Sequence, residues 1–485
     1  MKKLADILSD LKTVESTGST EIMVNKITFD SRAVEPGDLF VAVKGTQADG
    51  HDFIQKAVEN GAAGIVCETL PPDITGPAVF LKVENSAKAL GMIASAWYGH
   101  PSRELKIIGI TGTNGKTTTV FLLYQLYRLL GYKAGLLSTI ENRIGDTAIK
   151  ATHTTADAVQ INKNLSDMAD AGCDYCFMEI SSHAIEQERI AGLKIAGAIY
   201  SNITHDHLDY HGTFDNYIKA KKKLFDDLPP DAFALVNNDD KHAGVMIQNT
   251  RARKASFSLK NVSDYKGKIL ENLFEGLHLR INRTDLWTRL VGSFNAYNVM
   301  AVYAAACLEG RNREEVLLNI SRLLPVEGRF EVVQSKSDIV AIVDYAHTPD
   351  ALKNVLTTIN NVRPGSEHLL TIIGAGGNRD KEKRPLLAQI ACSYSDRVIL
   401  TADNPRFEDP EQIIRDMEAG LGSDERRKTV KITDRREAIK TACMISVKGD
   451  IILVAGKGHE TYQEIRGRRH HFDDREILKE CLTDL

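Results

Sequence analysis

Apolar and polar positions change rhythm twice along this chain. From residue 1 to about 102 the pattern is short and mixed. Lys26-Ile-Thr-Phe-Asp-Ser-Arg32 and Asp38-Leu-Phe-Val-Ala-Val-Lys44 predict strands, and Phe53 to Asn60 and Ala87 to Tyr98 repeat at helical spacing. Gly99-His-Pro-Ser102 breaks the pattern and predicts a linker. From about 103 to 325, Ile107, Ile108 and Ile110 predict a buried strand. Gly112-Thr-Asn-Gly115 predicts a tight turn, and Lys116-Thr-Thr-Thr119 opens a helix carrying Leu122, Leu126 and Leu130. Tyr175 to Ile180 and Ala198 to Tyr200 predict strands that run into polar clusters. Pieces at 254–259, 277–281 and 287–291 predict an antiparallel section beside the main sheet, and Asn295 to Leu308 predicts a helix ended by Gly310. From about 326 onward strand and helix alternate regularly. Strands are expected at 338–344, 369–374, 397–402, 429–433 and 450–455, with helices beginning near Pro349, Arg384, Pro410 and Asp434. That alternation predicts an open, doubly wound parallel sheet.

Composition narrows the class without naming a function. A chain of 485 residues has room for two to four domains. A net charge of −4 gives no basic surface for nucleic acid or an anionic membrane. The longest apolar runs, such as Ile451-Ile-Leu-Val-Ala455, are far too short to span a bilayer. Met1-Lys-Lys-Leu-Ala begins an amphipathic helix with Asp6 and Asp10 and lacks the apolar core of a secretion signal. Seven scattered cysteines fit a reducing compartment, so a cytoplasmic location is expected. Cys173-x-x-Cys176 has no second pair, and core packing outweighs zinc or redox chemistry for it.

Candidate chemistry begins at the Gly-rich turn. Strand, turn and helix in this order aim backbone N–H groups and a helix N-terminus at a phosphate chain. Lys116 would reach the terminal phosphates and Thr117 would put its hydroxyl on Mg²⁺. The strict nucleotide-loop spacing wants glycine where Ile110 stands, with Gly109 and Gly112 beside it; the context still predicts binding of ATP or a relative. Glu179, near a strand end, suits an Mg²⁺ ligand. Of His205-Asp-His207-Leu-Asp-Tyr-His211, one histidine is expected beside an ATP-bound Mg²⁺ and the others hydrogen-bonded. The lysines at 219, 221, 222 and 223, read on their own, are a solvated basic face. In the last third, Asp344-Tyr-Ala-His347, Gly374 to Asp380, Asp403-Asn-Pro-Arg406 and Gly456-Lys-Gly-His-Glu460 each follow a predicted strand. They should share one rim facing a polar, charged substrate.

The motifs also occur in a telling order. Gly109 to Thr118, Glu179-Ile-Ser-Ser-His183, Asn202 to Asp209, Gly292 to Asn298, Glu327-Gly-Arg-Phe-Glu331 and Asp344 to Pro349 resemble those of the Mur ligases, ATP-dependent amino-acid-adding enzymes of peptidoglycan precursor synthesis. The family's phosphate loop also has an aliphatic residue at the Ile110 position. The resemblance implies three α/β domains. These are a small N-terminal domain over 1–102 for a UDP-substrate, a central P-loop ATPase-like domain over 103–325 for ATP, and a C-terminal Rossmann-like domain over 326–485 for the amino acid. It implies ATP contacts at Gly112, Thr113, Asn114, Gly115, Lys116, Thr117, Thr118, Asn295, Arg329 and Asp344, and catalytic roles for Lys116, Glu179, His207, Lys221, Asn298, Arg329 and Asp344. Metal-site residues would be Thr117, Glu179, His207 and Lys221, with two Mg²⁺ ions implied by the family pattern. Lys221 would be carbamylated (N6-carboxylysine), Lys222 and Lys223 being its neighbours in register. The UDP-N-acetylmuramoyl-dipeptide would meet Ser31, Thr46, Gln47, Ala48, Thr154, Thr155, Ser181, Gln187 and Arg189. Asp403-Asn-Pro-Arg406 is similar to the signature of the meso-diaminopimelate-adding members, implying a pocket of Arg379, Asp403, Asn404, Pro405, Arg406, Gly456 and Glu460. His205 has no part in the pattern. The expected activity is amide formation with release of ADP and phosphate by a monomer. Lysine addition, a folylpolyglutamate-synthetase-like activity and a non-catalytic ATP-binding regulator are the rival readings. The Asp30-Ser-Arg32 and Gly45-Thr-Gln-Ala-Asp-Gly50 stretches argue against the second, and intact Lys116, Glu179 and Asp344 against the third.

Overall fold

Continuous apolar runs build the sheets, because strands covered on both faces have no solvent side to keep polar. The structure is a computed structural model. It describes every residue except 46, 47, 73–75, 152, 335–337, 364, 366, 484 and 485, and no side chain at 209, 334 or 483. In the C-terminal unit, Val340–Asp344, Ile451–Ala455, Leu369–Ile373, Arg397–Leu400 and Thr429–Lys431 lie side by side and parallel, in that order. Glu331–Gln334 is added antiparallel to the first. Helices Pro349–Val362, Lys383–Tyr394 and Pro410–Glu418 bury their apolar stripes on one face, and Arg435–Ile445 and Asp474–Thr483 cover the other. Thr348 and Asp409 cap two of these helices, each followed by proline at the first helical position, where no amide hydrogen is needed.

The central unit is organised in the same way. Ala134–Leu137, Tyr175–Glu179, Lys106–Thr111, Ile195–Tyr200, Phe233–Asn237 and Arg253–Ser258 run parallel in that order. Both cysteines of Cys173-x-x-Cys176 are free thiols buried in the core on one face of this sheet. The antiparallel section differs from expectation. Arg253–Ser258 is parallel to its neighbour, and the meander is Tyr265–Leu273, Gly276–Ile281 and Thr284–Thr288. The apolar pair Leu290-Val291 belongs to the connection after the meander, buried between units rather than in a strand. The N-terminal unit has its own sheet, in which Val79–Lys82, Gly64–Cys67, Leu39–Val41 and Ile27–Thr28 are parallel. Its first helix is only Leu4–Ile7, so the amphipathic pattern reaching to Asp10 is not all helix. Among the described residues no helix is long and apolar enough to cross a membrane.

Because the parallel strands of each large sheet point the same way, their carboxyl ends lie along one rim. The two rims face each other across a cleft of about 900 Å³ lined by both units.

Candidate active site

The phosphate loop connects the strand Lys106–Thr111 to the helix Lys116–Leu129. Gly112 and Gly115 both take positive φ, 153° and 87°, and a Cβ on either would collide, with Ser201 Oγ at 2.0 Å and Asn298 Oδ1 at 2.6 Å. Ser201 and Asn202 fix the loop from the adjacent strand end. Ser201 Oγ and Asn202 Nδ2 donate to Asn114 O (2.7 and 3.1 Å), and Asn114 N donates to Asn202 Oδ1 (2.9 Å). Asn298 and Asn295 form the wall behind, joined by an Asn298 Nδ2 to Asn295 Oδ1 bond of 2.9 Å.

Two lysines converge on this loop. Lys116 Nζ donates to Gly112 O (2.9 Å) and Thr113 O (2.8 Å), and Lys221 Nζ donates to the same Gly112 O at 3.0 Å. Lys221 is 1 % exposed, with its ammonium 4.6 Å from the centre of the Tyr217 ring. Burial, and then the Lys116 charge, push Lys221 well below the ordinary lysine range. The solvated-face reading is therefore wrong for this residue. Lys222 pairs with Asp226 and Lys223 with Glu188, leaving Lys221 as the buried member of that run.

The three histidines of the 205–211 segment go separate ways. His205 stacks on Phe214 and His211 Nε2 meets Ser182 Oγ at 3.0 Å. His207 alone of the three lines the cleft, its ring edge-on to His183. Desolvation by the cleft walls, helped by His183, Lys116 and Lys221, pushes it down to about 4. Glu179 is buried at its strand end, its oxygens accepting from Thr139 N (2.8 Å) and Thr139 Oγ1 (3.2 Å). Among the described residues no three His, Cys, Asp or Glu side chains gather as a metal cage. Thr117, Glu179 and His207 line the same cleft as the phosphate loop. A hydroxyl and one carboxylate beside a phosphate loop fit Mg²⁺, which takes few protein oxygens and completes its shell with phosphate and water.

On the opposite rim Arg329 is held in a strained turn. Gly328 and Phe330 have φ of 63° and 49°. The buried Asp344 carboxylate secures the turn by accepting from Phe330 N (2.6 Å) and Ala346 N (2.7 Å). Burial pushes the Asp344 carboxyl up, against the pull of Arg329. Arg329 stacks 4.4 Å from the Tyr345 ring and reaches across the cleft to Thr117 Oγ1 at 3.2 Å. Two further residues that reach across the cleft were not legible in the sequence. Asp350 Oδ2 accepts from Asn114 Nδ2 (2.8 Å) and Thr204 Oγ1 (3.2 Å), and Lys383 pairs with Asp206 at 3.1 Å. Neither falls in a local pattern, because each partner lies more than 140 residues away.

The remaining expected site residues fall into two groups. Thr154, Thr155, Ser181, Gln187 and Arg189 form one hydrogen-bonded group beside Glu179. Arg189 donates to Thr155 O (2.6 Å) and Gln187 Oε1 (2.7 Å), and Thr155 Oγ1 to Glu179 O (2.9 Å). Ser31 and Ala48 lie in the N-terminal unit and do not line the cleft, and Thr46 and Gln47 lie outside the described residues. In the C-terminal unit Arg379, Asp403, Asn404, Arg406, Gly456 and Glu460 line the cleft together. Arg406 takes φ 52°, donates Nη1 to Gly377 O (2.7 Å) and lies 3.9 Å from Glu464. It thus braces the glycine loop while facing the cleft. Asn404 Nδ2 donates to Glu460 Oε2 at 2.8 Å. A Cβ on Gly456 would sit 2.8 Å from Asp403 Oδ2.

Comparison with known proteins places this geometry. The Mur ligase middle domain matches residues 110–306, the Mur ligase glutamate ligase domain 328–458, and the Mur ligase family catalytic domain 23–98. The chain belongs to the Mur ligase family. Among Mur ligases it is 54% identical over 484 residues to the UDP-N-acetylmuramoyl-L-alanyl-D-glutamate–2,6-diaminopimelate ligase of Cytophaga hutchinsonii, covering 100% of this chain and 99% of that one. A solved structure of a ligase of the same name superposes with a TM-score of 0.68 at 33% identity, covering 99% and 98% of the two chains. A folylpolyglutamate synthase from Mycobacterium tuberculosis shares the fold over 76% of this chain and 92% of its own, with a TM-score of 0.61 and 18% identity.

Proposed function

We propose that this chain is an ATP-dependent ligase that joins meso-2,6-diaminopimelate to the γ-carboxylate of D-Glu in UDP-N-acetylmuramoyl-L-Ala-D-Glu, a step in building peptidoglycan precursors. The observation that carries the reading is a single cleft with a phosphate loop on one rim and the Asp403-Asn-Pro-Arg406 turn on the other. Full-length similarity to ligases of that name supports it. Division of labour follows the three units, with 1–102 for the uridine end, 103–325 for ATP and 326–485 for the amino acid.

A carboxylate is a poor electrophile, so the γ-carboxylate oxygen first takes the terminal phosphoryl group of ATP, giving an acyl phosphate and ADP. Backbone N–H groups of 112–118 and Lys116 hold the phosphates, and Arg329, already within reach of Thr117, meets charge on the transferring group. Thr117 and Glu179, with His207 nearby, would hold Mg²⁺, which when bound would neutralise phosphate charge. A carbamate on Lys221 would turn its repulsion with Lys116 into attraction and add a carboxylate-like metal ligand. The neutral amine of diaminopimelate then attacks the acyl carbon, the nitrogen of the tetrahedral intermediate gives up a proton to solvent, and the intermediate collapses to the amide with loss of phosphate. Water would compete for the acyl phosphate, so the Asp350, Lys383 and Arg329 contacts that hold the rims together serve to exclude it.

Diaminopimelate differs from lysine by a carboxylate at its far end, and Arg406 offers that group a planar, charge-assisted partner. Wild-type enzyme should therefore prefer meso-diaminopimelate over L-lysine by roughly 10⁴ in kcat/KM. Arg406→Ala should raise the KM for diaminopimelate roughly 10²-fold or more while the KM values for ATP and the UDP-substrate hold. Steady-state ligation with each amine checks both. Equal wild-type use of lysine, or an Arg406→Ala enzyme indifferent to the change, would contradict the assignment.

A further inference from the structure

We propose that Lys457 is a positioning residue that fixes which side of the Asn404 amide meets the amino-acid substrate and holds Glu460 beside it. Lys457 stands two residues past the strand Ile451–Ala455, after Gly456, is fully buried, and lies behind the cleft wall rather than in it. Its Nζ donates to Asn404 Oδ1 at 3.2 Å and to Glu460 Oε2 at 3.0 Å. The backbone N–H of Glu464 donates to the same Asn404 Oδ1 at 2.9 Å.

An ammonium and a backbone N–H can only donate, so the atom they share must be the amide oxygen. A flipped amide would set its NH₂ against two donors inside a buried site. With both lone pairs of Oδ1 engaged, Asn404 meets the cleft through Nδ2, one hydrogen of which goes to Glu460. The rim thus presents a donor from Asn404 beside an acceptor from Glu460. That pair is complementary to the carboxylate and ammonium of an α-amino acid head. The Tyr462 ring lies 5.5 Å from Lys457 Nζ, and the Lys457 charge balances the Glu460 carboxylate at a position with little access to water. An apolar side chain in its place would leave Asn404 Oδ1 with one donor and Glu460 without its ion-paired ammonium. The inference rests on the ligase reading, which places the amino acid at this rim.

The test uses the full-length enzyme carrying Lys457→Met or Lys457→Gln, with three readouts. Hydroxylamine trapping of the acyl phosphate, without amino acid, reports the ATP half-reaction and the integrity of the fold. Both variants should trap hydroxamate at close to the wild-type rate. The KM for meso-diaminopimelate should rise roughly 10- to 100-fold in Lys457→Met, and less in Lys457→Gln, which can still donate to Asn404. In an Asn404→Ala background, Lys457→Met should add much less than it does alone, because both changes remove the same arrangement. If Lys457→Met does not fold, Lys457→Gln carries the same comparisons. An unchanged KM for diaminopimelate, full additivity with Asn404→Ala, or an equal loss of trapping and ligation would overturn the role given to Lys457. A wild type that traps no hydroxamate would instead overturn the ligase reading.

Discussion

Lys221→Ala should lower ligation by about 10³-fold or more, and short-chain carboxylates should restore part of it. Two ammonium groups cannot comfortably share the Gly112 carbonyl inside a buried pocket, and Lys221 is the more buried of the two. Burial and the Lys116 charge both favour its neutral amine, the form that adds carbon dioxide to give a carbamate and a proton. The product is an anion beside Lys116 and the phosphate loop, where it would add an oxygen ligand for Mg²⁺ to those of Thr117 and Glu179. Alanine removes that anion and leaves a space that acetate or formate can enter, so rescue reports the missing carboxylate rather than a damaged fold. Lys222 and Lys223, each paired with a carboxylate away from the phosphate loop, should tolerate the same change with little loss. Full activity of Lys221→Ala, or rescue at Lys222 but not at Lys221, would contradict the carbamate assignment.

Lys116→Ala should abolish ligation, by about 10³-fold or more, with thermal stability close to the wild type. Lys116 Nζ bonds two carbonyls of its own loop, so the fold loses little with it. The transition state loses a fixed positive charge at the place where phosphoryl oxygens gain negative charge. Hydroxylamine trapping and ligation should fall together, because the defect precedes the amine. A Lys116→Ala enzyme that still forms the amide at a near-normal rate would remove this lysine from the phosphate site.

The elements that position the site were the most legible in the sequence. Val340–Asp344, Leu369–Ile373 and Ile451–Ala455 are unbroken apolar runs because helices cover both faces, and the polar clusters follow them because only strand ends reach the rim. The phosphate loop was legible because its glycines and lysine have few other uses between a strand and a helix. Lys221 was misread on residue type alone. Its spacing from Tyr217, Leu224 and Phe225 puts it on the buried stripe of the helix Phe214–Asp226, and that face was the signal to follow. The meander was misplaced for a related reason. Thr284–Thr288 is a short strand with exposed Trp287, whereas the apolar Leu290-Val291 pair is buried by neighbouring units. Asp350 and Lys383 act across the cleft on the phosphate-loop side, and no local pattern encodes a contact made by domain packing.

The central claim is that this cleft activates a carboxylate with ATP and delivers diaminopimelate to it. The most direct measurement offers the wild-type enzyme Mg²⁺-ATP, UDP-N-acetylmuramoyl-L-Ala-D-Glu and equal concentrations of meso-diaminopimelate and L-lysine, and identifies the products by mass. The account predicts a diaminopimelate-bearing UDP-muramoyl-tripeptide, with ADP and phosphate formed in step with it and almost no lysine product. Comparable amounts of the two tripeptides, or ATP consumed with no amide formed, would contradict it.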